Sequence, residues 1–122
     1  MDQGVFWESL NSSALKNLPI LFVCENNGLA IYSEQKKRMK NLEICKKVNS
    51  FGVHAVKIQN SSTENIFNIT QKVLQRIDRY GHPIFIEIDT FREVDHVGVN
   101  HDYNLGYRKK IMQSFAHLTD FK

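Results

Sequence analysis

An unbroken apolar run, Ile20-Leu21-Phe22-Val23-Cys24, stops at Glu25-Asn26-Asn27-Gly28. Such a switch occurs where a buried strand delivers polar side chains to the edge of a sheet, and ligand sites in open α/β folds lie at the carboxyl edge. An amide oxygen there suits Mg²⁺, a hard cation that takes oxygen ligands in octahedral geometry. Gly28 lets the backbone turn sharply, so a carbonyl can join the same cation. The same residues also read as an ordinary turn, in which Asn and Gly are common.

A second group of chemistry-bearing residues lies further along. His96 sits in a polar loop after a strand-like segment, and the charge of histidine responds to its surroundings near neutral pH. A loop histidine in plain contact with water is the simpler alternative. Arg92 and Arg108 flank this loop. Their guanidinium forks either pair with phosphate or tie the loop down through Glu93, Asp95 or Asp102. The tying role suits Arg108, whereas Arg92 is open between the two. His101 follows His96 by five residues, but nothing nearby in the sequence completes a zinc site. The run Lys36-Lys37-Arg38-Met39-Lys40 reads as a solvated loop, or as a patch that attracts an acidic partner.

Periodicity supplies the elements that must position these groups. Phe6, Leu10 and Ala14 recur at helical spacing. Pro19 ends that connection, and residues 20–24 form a strand without polar alternation, as expected for a parallel sheet covered on both faces. A basic loop spans residues 33–40. A helix is expected over residues 41–50, with Leu42, Cys45 and Val48 on its apolar face and Gly52 ending it. Residues 53–58 read as a strand. Ser61 and Glu64 have capping-box spacing, and Ile66, Ile69, Val73 and Ile77 form the stripe of a helix that Gly81 closes. Residues 84–88 are a further strand, residues 90–107 a long loop, and a last helix begins near Arg108. This alternation predicts an α/β fold with a mainly parallel sheet and helices on both faces.

The 122 residues suit one domain, spanning 1–122, and 42% of them are hydrophobic. A formal charge of +3 is too mild to argue for nucleic acid. No stretch is long and apolar enough for a membrane-spanning helix. Cys24 and Cys45 have no motif spacing and read as buried thiols in a reducing cytosol, so a cytoplasmic location is expected.

Glu25-Asn26-Asn27-Gly28 after a buried strand resembles the closing half of the thiamine-diphosphate motif, whose opening half is a Gly-Asp-Gly turn. Gly4-Val5-Phe6-Trp7-Glu8-Ser9-Leu10-Asn11, followed by Ala14-Leu15-Lys16-Asn17-Leu18-Pro19, resembles the helix between those halves in the alpha subunit of 2-oxo acid dehydrogenases. These are the decarboxylating components of the pyruvate, acetoin and branched-chain 2-oxo acid complexes. Thr90-Phe91-Arg92, His96-Val97-Gly98 and Gly106-Tyr107-Arg108 resemble the cofactor-side loop of that family. The three motifs stand in the family's order, and the similarity covers most of the chain.

The resemblance implies a thiamine-diphosphate-binding fold, here its diphosphate-binding part. It implies that the Asn27 side-chain oxygen and the Leu29 carbonyl ligate a Mg²⁺ ion bridging the two phosphates, with Gly28 in the turn. It assigns Arg92 and His96 to the cofactor, and His96 also to catalysis, through phosphate contact and stabilisation of charge at the reacting centre. The implied reaction is oxidative decarboxylation of a small 2-oxo acid, with the acyl group passed typically to a lipoyl-bearing acyltransferase. The implied partner is a beta subunit, which supplies the glutamate that activates the thiamine ring, usually in an α₂β₂ assembly with active sites between chains. Glu8 is either an interface residue or an ordinary exposed helix acid. The Gly-Asp-Gly turn, with the family's aspartate ligand, would fall just before Met1. The chain therefore reads as a piece of a larger subunit or a shortened relative. Val97 stands where animal members carry a serine that kinases phosphorylate, so that regulation is not expected here. The rival function is a catalytically silent α/β module that only binds partner subunits.

Overall fold

The structure, a computed structural model, describes residues 1–59 and 62–107. Its elements in chain order are α1 (Gly4–Leu15), β1 (Leu21–Asn26), β2 (Leu29–Ala30), β3 (Ser33–Glu34), α2 (Ile44–Asn49), β4 (His54–Ile58), α3 (Thr63–Tyr80) and β5 (Ile84–Asp89), with short 3₁₀ turns at Gln35–Lys37 and Tyr103–Leu105. Among the described residues, β1, β5 and β4 form one parallel sheet with β5 in the middle. This is the α/β arrangement expected from the alternating pattern.

The central strand explains the packing. Ile84 to Ile88 are buried without a break, because β5 has a neighbour on each side and helices on each face. On one face, Phe85 packs with Leu10 of α1, Ile44 and Val48 of α2, and Val53. Aromatic contacts extend this layer: Phe6 meets Phe22 edge-on at 6.2 Å, and Trp7 stacks on Phe51 at 5.7 Å. On the other face, Val73 and Ile77 of α3 pack with Ile58, Ile84, Ile86 and Ile88. No helix of the described residues is long and apolar enough to cross a membrane.

Three boundaries differ from the sequence expectation, each for a local reason. β1 runs on through Glu25 and Asn26, because β5 extends to Asp89 and offers them ladder partners. α2 starts only at Ile44: the Asn41 side-chain oxygen accepts the Glu43 N–H at 2.9 Å, an Asx turn that keeps residues 41–43 out of the helix. Leu42 is consequently exposed, and Ile44 takes the expected core place beside Val48. The cap of α3 is Ser62, whose Oγ accepts the Asn65 N–H at 3.3 Å. Ser61 lies outside the described residues, as do Arg108 and the last helix expected from it. An antiparallel pair, β2 just after the Asn27 turn and β3 at the start of the basic loop, was announced by no periodic signal because each strand is two residues long.

Candidate magnesium-diphosphate site

β1 and β5 end side by side, with Asn26 opposite Asp89, and the Asn26 carbonyl accepts the Thr90 N–H at 3.0 Å. The turn that follows β1 is built from two successive Asx turns. Asn26 Oδ1 accepts the Gly28 N–H at 3.0 Å, and Asn27 Oδ1 accepts the Leu29 N–H at 2.9 Å. Gly28 has φ +70°, a left-handed conformation that glycine adopts without a Cβ penalty. Its carbonyl accepts the Gln35 N–H at 2.8 Å, which closes the β2–β3 excursion back onto the turn.

Asn27 and Leu29 thus stand at the carboxyl edge, on a cleft of about 230 Å³ also lined by Asp2, Glu25, Asn26 and Arg38. The Asn27 oxygen accepts one hydrogen bond, which leaves it a second lone pair. The donor chemistry at Asn27 and Leu29 is uncharged oxygen, and it fits a hard cation whose charge is met by phosphate. Among the described residues, no group of three or more His, Cys, Asp or Glu gathers in a way that could hold a metal ion.

Behind the turn lies a feature that the sequence reading missed. Glu87, on the middle strand, is only 2% exposed. Asn26 Nδ2 donates to its Oε1 at 2.8 Å, Cys45 Sγ to its Oε2 at 3.2 Å, and Lys57 Nζ reaches Oε1 at 3.4 Å. Lys57 also pairs with Asp89 at 3.1 Å. One buried carboxylate therefore holds the amide of Asn26, whose oxygen in turn holds the backbone of the turn at Gly28. Its signal was present in the sequence: Glu87 is the lone charge inside Ile84-Phe85-Ile86-Glu87-Ile88, and a carboxylate in a strand buried on both faces requires donors around it.

Burial and the same carboxylate together act on both thiols. Burial, then the hydrogen bond to Glu87 and its charge, push the Cys45 thiol up to about 12. Burial and then the Glu87 charge raise Cys24 as well. A folded-state pKa above the unfolded value means the folded chain holds the proton more tightly. The resulting stabilisation is fully present below pH 9.0, the ordinary value, and is lost as pH rises toward 12. Iodoacetamide at pH 8 should therefore alkylate both thiols at least about 10-fold more slowly in the folded chain than in urea, since the thiolate is the reacting form. Equal rates would contradict the burial of these groups against Glu87.

Arg92 is engaged away from the cleft. Its Nη1 donates to the Ile31 carbonyl at 2.9 Å, and its Nη2 donates to the Tyr107 hydroxyl at 2.6 Å and reaches Asp102 at 3.4 Å. It ties the tip of the β2–β3 hairpin to the long loop. Ile31, at that tip, has φ +54°, an uncommon conformation for a β-branched residue. The His96 loop leaves the sheet at the Asn27 edge, through the Thr90–Asn26 bond. His96 itself is exposed, with its backbone N–H on Asp95 Oδ1 at 2.6 Å, and it is not among the residues lining the cleft. His101 stacks on Tyr103 at 5.5 Å. Glu8 is exposed on α1. The structure thus brings Asn27, Gly28 and Leu29 together and holds Arg92 and His96 on the neighbouring loop. Arg38, read in the sequence as part of a solvated run, reaches into the cleft.

The sequence that builds this sheet and turn matches known proteins. The family model of the dehydrogenase E1 component matches residues 1–121, and the chain belongs to that family. The pyruvate dehydrogenase E1 component subunit alpha of Rickettsia prowazekii is 26% identical over 96 residues, covering 79% of this chain and 29% of that protein. The chloroplastic pyruvate dehydrogenase E1 component subunit alpha-3 of Arabidopsis thaliana is 33% identical over 91 residues, covering 75% and 21%. The 2-oxoisovalerate dehydrogenase subunit alpha of Bacillus subtilis is 25% identical over 113 residues, covering 93% and 34%. The chain spans about a fifth to a third of the length of these relatives.

Proposed function

We propose that this chain is the diphosphate- and Mg²⁺-binding part of a thiamine-diphosphate-dependent 2-oxo acid dehydrogenase, acting in a cytoplasmic assembly with a beta subunit. The observation that carries the reading is the turn after β1. It sets Asn27 and Leu29 on one cleft at the carboxyl edge, in a chain of the E1 family. Asn27 Oδ1 and the Leu29 carbonyl would hold Mg²⁺, with Gly28 giving the backbone its bend. When bound, thiamine diphosphate supplies the nucleophilic carbon that adds to a 2-oxo group and takes up the electrons left as CO₂ departs. The chain's own part is to fix the phosphates and the metal. Arg92 steadies the hairpin and loop beside the cleft, and His96 on that loop would act on the phosphates and reacting centre. The beta subunit contributes the glutamate that activates the thiamine ring. A lipoyl-bearing acyltransferase receives the acyl group.

Charge counting sets the expected behaviour. Asn27 and Leu29 are neutral ligands, so affinity for Mg²⁺ depends on carboxylate and phosphate oxygens besides theirs. The 122 residues alone should show no 2-oxo acid decarboxylase activity and should bind magnesium thiamine diphosphate weakly in calorimetry. The chain extended upstream to include a Gly-Asp-Gly turn, together with a beta subunit, should bind it and turn over. Turnover by the isolated chain would contradict this reading. Failure of the extended assembly to bind the cofactor would favour the silent, partner-binding module.

A further inference from the structure

One member of the basic run at residues 36–40 has a side chain less exposed than that of its neighbour Lys36. Lys36 pairs with Glu34 at 2.6 Å, and its side chain is 68% exposed, whereas that of Arg38 is 24% exposed. The difference begins in the backbone. The Gln35 N–H is held by the Gly28 carbonyl, and the N–H groups of Arg38 and Met39 both donate to the Gln35 carbonyl, at 3.0 and 2.8 Å. This chain of bonds hangs Arg38 from the same turn that presents Asn27. Its guanidinium pairs with the Asp2 carboxylate and lines the cleft shared by Asn27 and Leu29.

Charge indicates what an arginine does there. Each phosphate group carries roughly one to two negative charges at neutral pH. The cleft answers with the carboxylates of Asp2 and Glu25, the uncharged oxygens of Asn27 and Leu29, and one cationic side chain among its described lining residues, Arg38. Mg²⁺ alone leaves that sum negative. The Arg fork matches a phosphate as well as a carboxylate, and can take either in a two-pronged contact. We propose that Arg38 is a phosphate-binding residue of this site, and that Asp2 holds its guanidinium over the cleft until a diphosphate takes the place of the carboxylate. The inference rests on the reading of the cleft as a magnesium-diphosphate site.

The test is calorimetry on the extended alpha chain assembled with its beta subunit, comparing Arg38→Ala, Arg38→Lys, Lys36→Ala and Asn27→Ala with the unaltered assembly. The probes are thiamine diphosphate and thiamine, each with Mg²⁺. Arg38→Ala should weaken thiamine diphosphate by about 10-fold or more, the scale of a hydrogen bond to a charged group. Arg38→Lys should recover part of that loss, and Lys36→Ala should leave affinity within about twofold, as expected for an exposed pair. Thiamine, which has no phosphate, should bind Arg38→Ala and the unaltered assembly alike. If Arg38→Ala binds thiamine diphosphate normally while Asn27→Ala does not, Arg38 has no phosphate role and the cleft reading stands. If thiamine and thiamine diphosphate weaken equally, the effect is one of folding and the proposal fails. If the unaltered assembly does not bind the diphosphate, the cleft reading fails and takes the proposal with it.

Discussion

Asn27→Ala in the complete alpha subunit, assembled with its beta partner, is expected to lose cofactor-dependent turnover by roughly 100-fold or more. Residues that merely support a metal ligand already cost 10- to 100-fold when replaced, and a direct ligand costs at least as much. The substitution removes two things at once. It deletes the amide oxygen proposed to ligate Mg²⁺, and it deletes the acceptor that holds the Leu29 N–H at 2.9 Å. The second loss loosens the segment that carries the other proposed ligand. Asn27→Asp separates the two effects, because it keeps an oxygen and the turn. The measurement is kcat with its Mg²⁺ dependence: the alanine variant should need far more Mg²⁺ for half-saturation, and the aspartate variant should not. Full activity of Asn27→Ala in the assembly would show that the site lies elsewhere.

The largest effect on stability is expected at Glu87. Replacing it by alanine leaves Asn26 Nδ2 and Cys45 Sγ facing a void where their acceptor stood, 2.8 and 3.2 Å away in the intact chain. Lys57 suffers less. Its side chain is 40% exposed and it keeps Asp89 at 3.1 Å, so the full cost of stranding a buried charge does not arise. Unsatisfied donors and an unfilled cavity together should cost about 3 kcal/mol, read as a lower urea midpoint at unchanged slope. Glu87→Gln keeps the shape and one acceptor oxygen, and should cost about 1 kcal/mol. A loss below about 0.5 kcal/mol for the alanine variant would place it among ordinary surface substitutions and contradict the view that Glu87 anchors the turn.

The fold was legible where a pattern extends over many residues. The Ile66–Ile77 stripe became α3, closed at Gly81 with φ +66°. The apolar run Ile84 to Ile88 became the buried middle strand. Membership of the E1 family was legible in three motifs, and the Asn27 turn lies at a carboxyl edge as the strand-to-amide switch implied. What escaped was set by contacts distant in sequence. Glu87 meets Asn26 across 61 residues, a pairing that requires knowing that β1 and β5 are neighbours. Arg38 reads as one of four cations in a polar run, and its place on the cleft follows from the bond that ties Gln35 back to Gly28. Leu42 was misplaced because the Asx turn at Asn41 outweighs its helical spacing.

One structure tests the role of the turn after β1 directly. The extended alpha subunit should be crystallised with its beta partner in the presence of thiamine diphosphate and Mg²⁺. The metal is predicted at about 2.1 Å from Asn27 Oδ1 and from the Leu29 carbonyl oxygen, the usual magnesium–oxygen distance. A metal and diphosphate bound at the opposite, amino-terminal edge of the sheet, or an Asn27 side chain that stays clear of the ion, would contradict the account.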